Sequence, residues 1–261
     1  VAEVPADPET GAFTCAATTG EGHVSLWSVV PGKQSRCLAY AVEEKNELMT
    51  CAMPPGCDDT VLTGGSDGTL RLYKAAEGKL EVVQTVTQGI DRHGQPTLGP
   101  PAKTMAAQFV DRNSVLVGGW EASVLLYDLR SKTVARTFDG PRLSGDALDY
   151  RDGCVLTASH RPKEQLQVFD FASGKQMTPS TTIDTLPFAC RLFGRASKLG
   201  AWVAGTSVNG VYVMNLLTGE PMASVVDIPE AVYAVDVCPT DPSKATVGCA
   251  RGATYHIAVE L

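Results

Sequence analysis

Val61-Leu62-Thr63-Gly64-Gly65-Ser66-Asp67-Gly68-Thr69-Leu70-Arg71-Leu72-Tyr73 decides the fold class. An apolar run closes on two glycines. A polar Ser-Asp-Gly turn follows, and then an alternating strand that ends on an aromatic. Alternation with period two, bounded by turn residues, is the signature of a half-buried strand, and Asp-Gly between two such runs marks a hairpin.

The same unit recurs along the chain. Val115-Leu116-Val117-Gly118-Gly119-Trp120 leads to Ser123-Val124-Leu125-Leu126-Tyr127-Asp128, and Val155-Leu156-Thr157-Ala158-Ser159 leads to Leu166-Gln167-Val168-Phe169-Asp170. Trp202-Val203-Ala204-Gly205-Thr206 leads to Val211-Tyr212-Val213-Met214-Asn215. Weaker copies pair Phe13–Ala17 with Val24–Trp27, and Ala245–Cys249 with Thr254–Ile257. The strand-ending residues Trp27, Tyr73, Tyr127, Phe169, Met214 and His256 are 46, 54, 42, 45 and 42 apart. The longer gap holds the Gly/Pro-rich stretch 88–101, which reads as a loop. Further short strands precede each unit (Leu48–Ala52, Thr104–Phe109, Ala147–Tyr150, Phe188–Phe193, Ala231–Val235) or follow it (Glu81–Val86, Thr133–Phe138). Four strands per unit of about 43 residues describe a blade of a β-propeller. The small residues Gly64-Gly65, Gly118-Gly119, Ala158-Ser159 and Ala204-Gly205 are expected where blades crowd at the centre, and the aromatics where they widen.

Across essentially the whole chain the pattern resembles the WD40 repeat. Its best copies are Ser66-Asp67-Gly68-Thr69-Leu70-Arg71-Leu72-Tyr73, Val124-Leu125-Leu126-Tyr127-Asp128 and Leu166-Gln167-Val168-Phe169-Asp170. The chain departs from the family in having no Trp-Asp dipeptide. Gly22-His23 stands ahead of a third strand rather than a first, so the family's Asp-His-Ser-Trp hydrogen-bond set is not expected in most blades. The resemblance implies an all-β, WD40-like propeller of about six or seven four-stranded antiparallel blades. As a single domain over 1–261, the approximate blades are 1–42, 43–90, 101–140, 145–180, 186–227 and 230–261, with 88–101 as a long inter-blade loop. Both ends align: Val4-Pro5-Ala6-Asp7-Pro8 precedes Phe13, and Cys238-Pro239-Thr240-Asp241-Pro242 precedes Thr246. The last blade is therefore expected to lack its outer strand, and a partner or out-of-chain strand is expected to complete it, since an unpaired edge invites association.

Composition narrows the function classes. The 261 residues are 44% hydrophobic and 20% charged, with 25 Gly and 16 Pro, which fits a folded, turn-rich protein. A net charge of −7 repels phosphate backbones, so nucleic acid and anionic membranes are not the expected partners. No run approaches the length of a membrane helix and no signal peptide is visible, so an intracellular, cytoplasmic setting is expected, cytoskeletal or nuclear included. The eight cysteines form no CxxC and sit mostly in apolar runs, as small buried hydrophobes do. No phosphate loop, zincin or nucleophile-elbow motif is present, and the four histidines are scattered among different units. The expectation is no catalytic, cofactor-binding or metal-binding residue. Asp128 and Asp170, directly after their strand aromatics, read as Asx turn residues.

The family resemblance implies a rim built from the turns between second and third strands and the loops leading into each first strand. It carries His23, Asp67, Trp120, Arg161, Lys163 and Arg251, with Asn209, Lys45, Lys103, Arg142, Pro187 and Phe188. Trp120 stands out, because equivalent turns carry small polar residues and because aromatics and arginines dominate binding hot spots. Tyr127-Asp128-Leu129-Arg130 resembles the WDxR motif of WD40 proteins that recruit substrates to cullin ubiquitin ligases, with Asp128 and Arg130 matching. The expected function is a non-enzymatic scaffold that holds proteins or peptides in a larger assembly, cytoskeletal or ciliary. A cullin-type substrate receptor is the alternative, and an enzyme using a propeller face stands behind both.

Overall fold

The computed structural model describes residues 2–3, 7, 10–88, 98–195 and 198–260. The middle of the 88–101 loop and most of the Val4–Pro8 segment lie outside the described residues. The fold is all-β: among the described residues the one helical element is the single 3-10 turn Ala250–Gly252.

In chain order the strands are β1 (Ala2–Glu3), β2 (Phe13–Thr18), β3 (His23–Val29), β4 (Arg36–Val42), β5 (Leu48–Ala52), β6 (Thr60–Gly65), β7 (Leu70–Ala76), β8 (Lys79–Val86), β9 (Thr104–Phe109), β10 (Ser114–Gly119) and β11 (Ser123–Asp128). They continue as β12 (Thr133–Asp139), β13 (Leu148–Arg151), β14 (Cys154–Ala158), β15 (Leu166–Asp170), β16 (Pro187–Arg195), β17 (Lys198–Gly205), β18 (Gly210–Asn215), β19 (Pro221–Val225), β20 (Val232–Val237), β21 (Lys244–Cys249) and β22 (Thr254–Ala258). Neighbouring strands pair antiparallel in meanders: β1–β4, β5–β8, β9–β12, β13–β15, β16–β19 and β20–β22. The first two meanders join into one eight-stranded sheet through a parallel bridge between Tyr40 and Lys79.

Not every meander has four named strands, as the repeat pattern had suggested. In β13–β15 the fourth place is held by isolated bridges, Leu166 to Thr181 and Phe169 to Gln176. Between the two bridges Met177 N donates to Val168 O. The last sheet has three strands.

The chain divides into two compact units, Val1–Trp120 with Val124–Thr137, and Glu121–Ser123 with Phe138–Leu261. Within the first, successive sheets stack face to face. Ala16, Val24 and Leu26 meet Leu48, Cys51, Val61 and Tyr73. On the other face of β5–β8, Ala52, Leu62, Leu70 and Val86 meet Phe109, Val115, Val117, Leu125 and Tyr127. β6 and β10 read as near-continuous apolar runs because both of their faces are covered. Each fully buried Val, Leu or Phe contributes about 1.5–3 kcal/mol. In the second unit, Trp202, Val211 and Val213 of β17–β18 pack on Val235, Ala245 and Val247 of β20–β21.

Candidate functional site

The ends of the sheets interlock by one repeated device. In the β5–β8, β13–β15, β16–β19 and β20–β22 sheets the turn after the second strand holds the loop that leads into the first. Ser66 N donates to Glu47 O, and Glu47 N donates back to Ser66 Oγ at 3.0 Å. His160 N donates to Arg142 O while Arg142 N donates to Ser159 Oγ. Thr206 N donates to Leu186 O, and Leu186 N to Ser207 Oγ. Ala250 N donates to Ala231 O. These serines accept from backbone donors of the lead-in loops and tie each loop to its turn.

The glycines that close the second strands serve this seam. A Cβ on Gly65 would lie 2.3 Å from Glu47 O, one on Gly119 1.9 Å from Lys103 O, and one on Gly205 2.2 Å from Thr185 Oγ1. The lead-in backbone crosses directly over these positions, so the side chain must be absent. Gly119→Ala is expected to push the Lys103 segment outward and to cost about 1–3 kcal/mol, as overpacking does. A thermal melt coincident with wild type would contradict that close approach.

In the first unit the seam runs on from sheet to sheet. Glu43 N donates to Gly22 O, which places the β2–β3 turn against the lead-in of β5. Gly68, in the β6–β7 turn, lies against Pro101 and Ala102 in the lead-in of β9, and Pro101 in turn lies against Gly119. Asp67, Lys103 and Trp120, all expected on a rim, therefore belong to one continuous stretch of surface. Asp67 is engaged in holding it: its Oδ1 accepts Thr69 N at 3.0 Å, and its Oδ2 pairs with Arg71 Nη2 at 2.7 Å. Trp120 is 48% exposed, with Lys103 Nζ 4.7 Å from the ring centroid. His23 is exposed, with its Nε2 4.0 Å from Glu21 Oε2.

Beneath this rim is a polar centre that the sequence reading did not find. Glu43 is only 6% exposed. Its carboxylate accepts from Thr63 Oγ1 (2.5 Å), Asn46 Nδ2 (2.8 Å), Arg71 Nη1 (2.6 Å) and Tyr73 OH (3.0 Å). Asn46 Oδ1 then accepts Ser66 N and Asp67 N. Burial works against the Arg71 charge, but Asp67 and Glu43 more than offset it and raise its pKa; burial and Glu43 raise that of Tyr73. A buried carboxylate with four donors is a satisfied charge, which fixes the turn bearing Asp67.

In the second unit Arg161 is folded back onto its own loop, the segment before β13 and the start of β15. Nε and Nη2 donate to Glu164 O, Nη1 to Gly140 O, and Nη2 also to Gln167 Oε1. Lys163 is exposed in the same turn. Phe188 is half-buried in β16, edge-on to Tyr233 at 4.9 Å and packed over Gly145. Arg251, at φ 57° in the β21–β22 turn, has a side chain 88% exposed, 4.0 Å from Glu230 Oε1. A partly buried arginine cluster lies elsewhere in this unit. Arg191 pairs with Asp146 and lies 3.7 Å from Asp236, tying β16 to both neighbouring sheets. Burial opposes its charge, and Asp146 and Asp149 outweigh that and raise its pKa.

Asp128 and Arg130 lie at the other end of β11 from Trp120. Asp128 Oδ1 accepts Arg130 N at 2.8 Å and Ser131 N at 3.4 Å, the Asx turn expected from sequence. Asp170 does the same for Ser173 N, and Asn215 for Leu217 N and Thr218 N. The Arg130 guanidinium, 72% exposed, folds onto Asp128 Oδ2 at 3.3 Å.

Among the described residues no helix is long and apolar enough to cross a membrane, and no group of three or more His, Cys, Asp or Glu residues is placed to hold a metal ion. A scan of the chain against protein-family models finds no match, and a search of curated proteins finds none either.

Proposed function

We propose that the stacked sheets are blades of a WD40-like β-propeller and that the chain is a non-enzymatic scaffold for partner proteins, with the rim of the first unit as the contact surface. The observation that carries this reading is Trp120. It stands half exposed directly after Gly119, whose backbone lies tight against Lys103 and Pro101, while Asp67 on the same stretch is spent on internal bonds. An aromatic held rigidly at the surface loses little entropy on binding and removes a large apolar area from water. Lys103 over the ring adds a cation that orients it. The polar rim residues then shape the surface, and Trp120 supplies the energy.

The test is affinity capture with crosslinking mass spectrometry, comparing wild type with Trp120→Ala and Arg130→Ala. Loss of the captured proteins by more than about tenfold with Trp120→Ala is expected, on the scale of a hot-spot aromatic. Arg130→Ala is expected to leave recovery intact. Unchanged recovery with Trp120→Ala would remove this reading; selective loss with Arg130→Ala would favour an adaptor-binding role at the opposite end of β11.

A further inference from the structure

Among the described residues the last strands of three meanders, β4, β8 and β19, carry features that blunt an edge, and β22 carries none. β4 carries Arg36 and a register shift at Leu26/Trp27; β8 carries Lys79 and Glu81 with a shift at Leu72/Tyr73; β19 opens on Pro221 with a shift at Val213/Met214. Charge, proline and bulges are the devices that stop edges from pairing with other chains. β22 is Thr254-Tyr255-His256-Ile257-Ala258, with neither charge nor proline, and it pairs with β21 over five consecutive residues without a shift. Among the described residues no strand pairs with its outer edge.

The ladder fixes which groups face outward. Cys249 N donates to Ala253 O, and Val259 N to Ser243 O. In an antiparallel pair the bonded positions alternate, so residues 253, 255, 257 and 259 bond to β21, while Thr254, His256 and Ala258 turn their N–H and C=O groups away from it. Three residues in a row of alternation thus form a complete template for another strand.

We propose that a second copy of this chain occupies that edge, β22 against β22, antiparallel about a two-fold axis at His256. A two-fold contact must be self-complementary, and this one is. Centred on His256, the register sets Thr254 opposite Ala258 and Tyr255 opposite Ile257, the aromatic–β-branched pairing that stabilises sheets. At each end, the turn bearing the exposed Arg251 of one copy comes beside Glu260 of the other, so opposite charges meet twice. The result is a continuous six-stranded sheet across the dimer. This inference does not depend on the partner-binding reading of Trp120.

Sedimentation velocity over a range of concentrations, paired with amide hydrogen exchange, tests it on the 261-residue chain. The expected result is a monomer–dimer equilibrium in which the Thr254, His256 and Ala258 amides gain protection as concentration rises. His256→Lys and His256→Asp each put like charges at the axis and should weaken self-association about fivefold or more. A one-to-one mixture of the two variants should restore it, because Lys then faces Asp. Both side chains point to the exposed face, so circular dichroism should match wild type. A monomer at every concentration, protection that does not change with concentration, or a mixture no tighter than either variant alone would each overturn the proposal.

Discussion

Glu43→Ala lowers the stability of the chain by about 3–5 kcal/mol, the expected cost of breaking a buried charge pair from one side. The variant leaves Arg71, Thr63, Tyr73 and Asn46 without the acceptor they share, and the Arg71 guanidinium keeps only Asp67. Asn46 also loses the contact that orients its Oδ1 towards Ser66 N and Asp67 N, so the β6–β7 turn loosens with it. Glu43→Gln is milder but still destabilising, because its amide nitrogen is a donor set against donors from Arg71 and Asn46. Chemical denaturation followed by circular dichroism measures both. A loss under about 1 kcal/mol for Glu43→Ala would put the carboxylate in water rather than at a buried centre, on the scale of an exposed pair.

The second large effect belongs to the other unit. Trp202 has no exposed surface and is the largest of the fully buried side chains. Its indole Nε1 donates to Pro242 O at 2.9 Å, and the ring lies in the cluster that joins β17–β18 to β20–β21. Trp202→Ala is expected to cost about 3–5 kcal/mol through lost burial and the cavity left behind. Trp202→Phe keeps most of the ring and loses the hydrogen bond, so it should fall well short of that. Equal losses for the two variants would mean that packing around the ring contributes little.

What could be read in advance follows from which signals are local. The second strands announce themselves through an apolar run closed by small residues, as in Val61–Gly65, and the third through a two-residue alternation, as in Leu70–Tyr73. The turn roles of Asp128 and Asp170 were legible because an Asx turn needs only its own next few residues. β19 was not read, since Pro221-Met222-Ala223-Ser224-Val225 has no buried alternating face to mark it. β4 was also missed, and its register shift interrupts the regular pairing there. The Glu43 centre was invisible for a different reason. A glutamate in a polar loop looks solvated, and it is buried only because Thr63, Arg71 and Tyr73, on two other strands, present their donors to the same point. The sequence suggested that the family's usual polar set would not assemble in most blades. In the β5–β8 sheet a different set does, with a carboxylate as its hub. Arg161, expected on the rim, donates to Glu164 O, Gly140 O and Gln167 Oε1, bonds that a charged residue in a polar loop does not announce.

The central functional claim is that partners cover Trp120. Of the three tryptophans, Trp202 is fully buried, Trp27 is half-buried with its Nε1 bonded to Ser25 Oγ, and Trp120 is the exposed one. Acrylamide quenching of tryptophan fluorescence, carried out on Trp27→Phe protein to isolate the signal and repeated with a captured partner bound, measures this directly. The account predicts a readily quenched component in the free protein that disappears with Trp120→Phe and becomes shielded in the complex. A complex in which that component stays as accessible as in the free protein would contradict it.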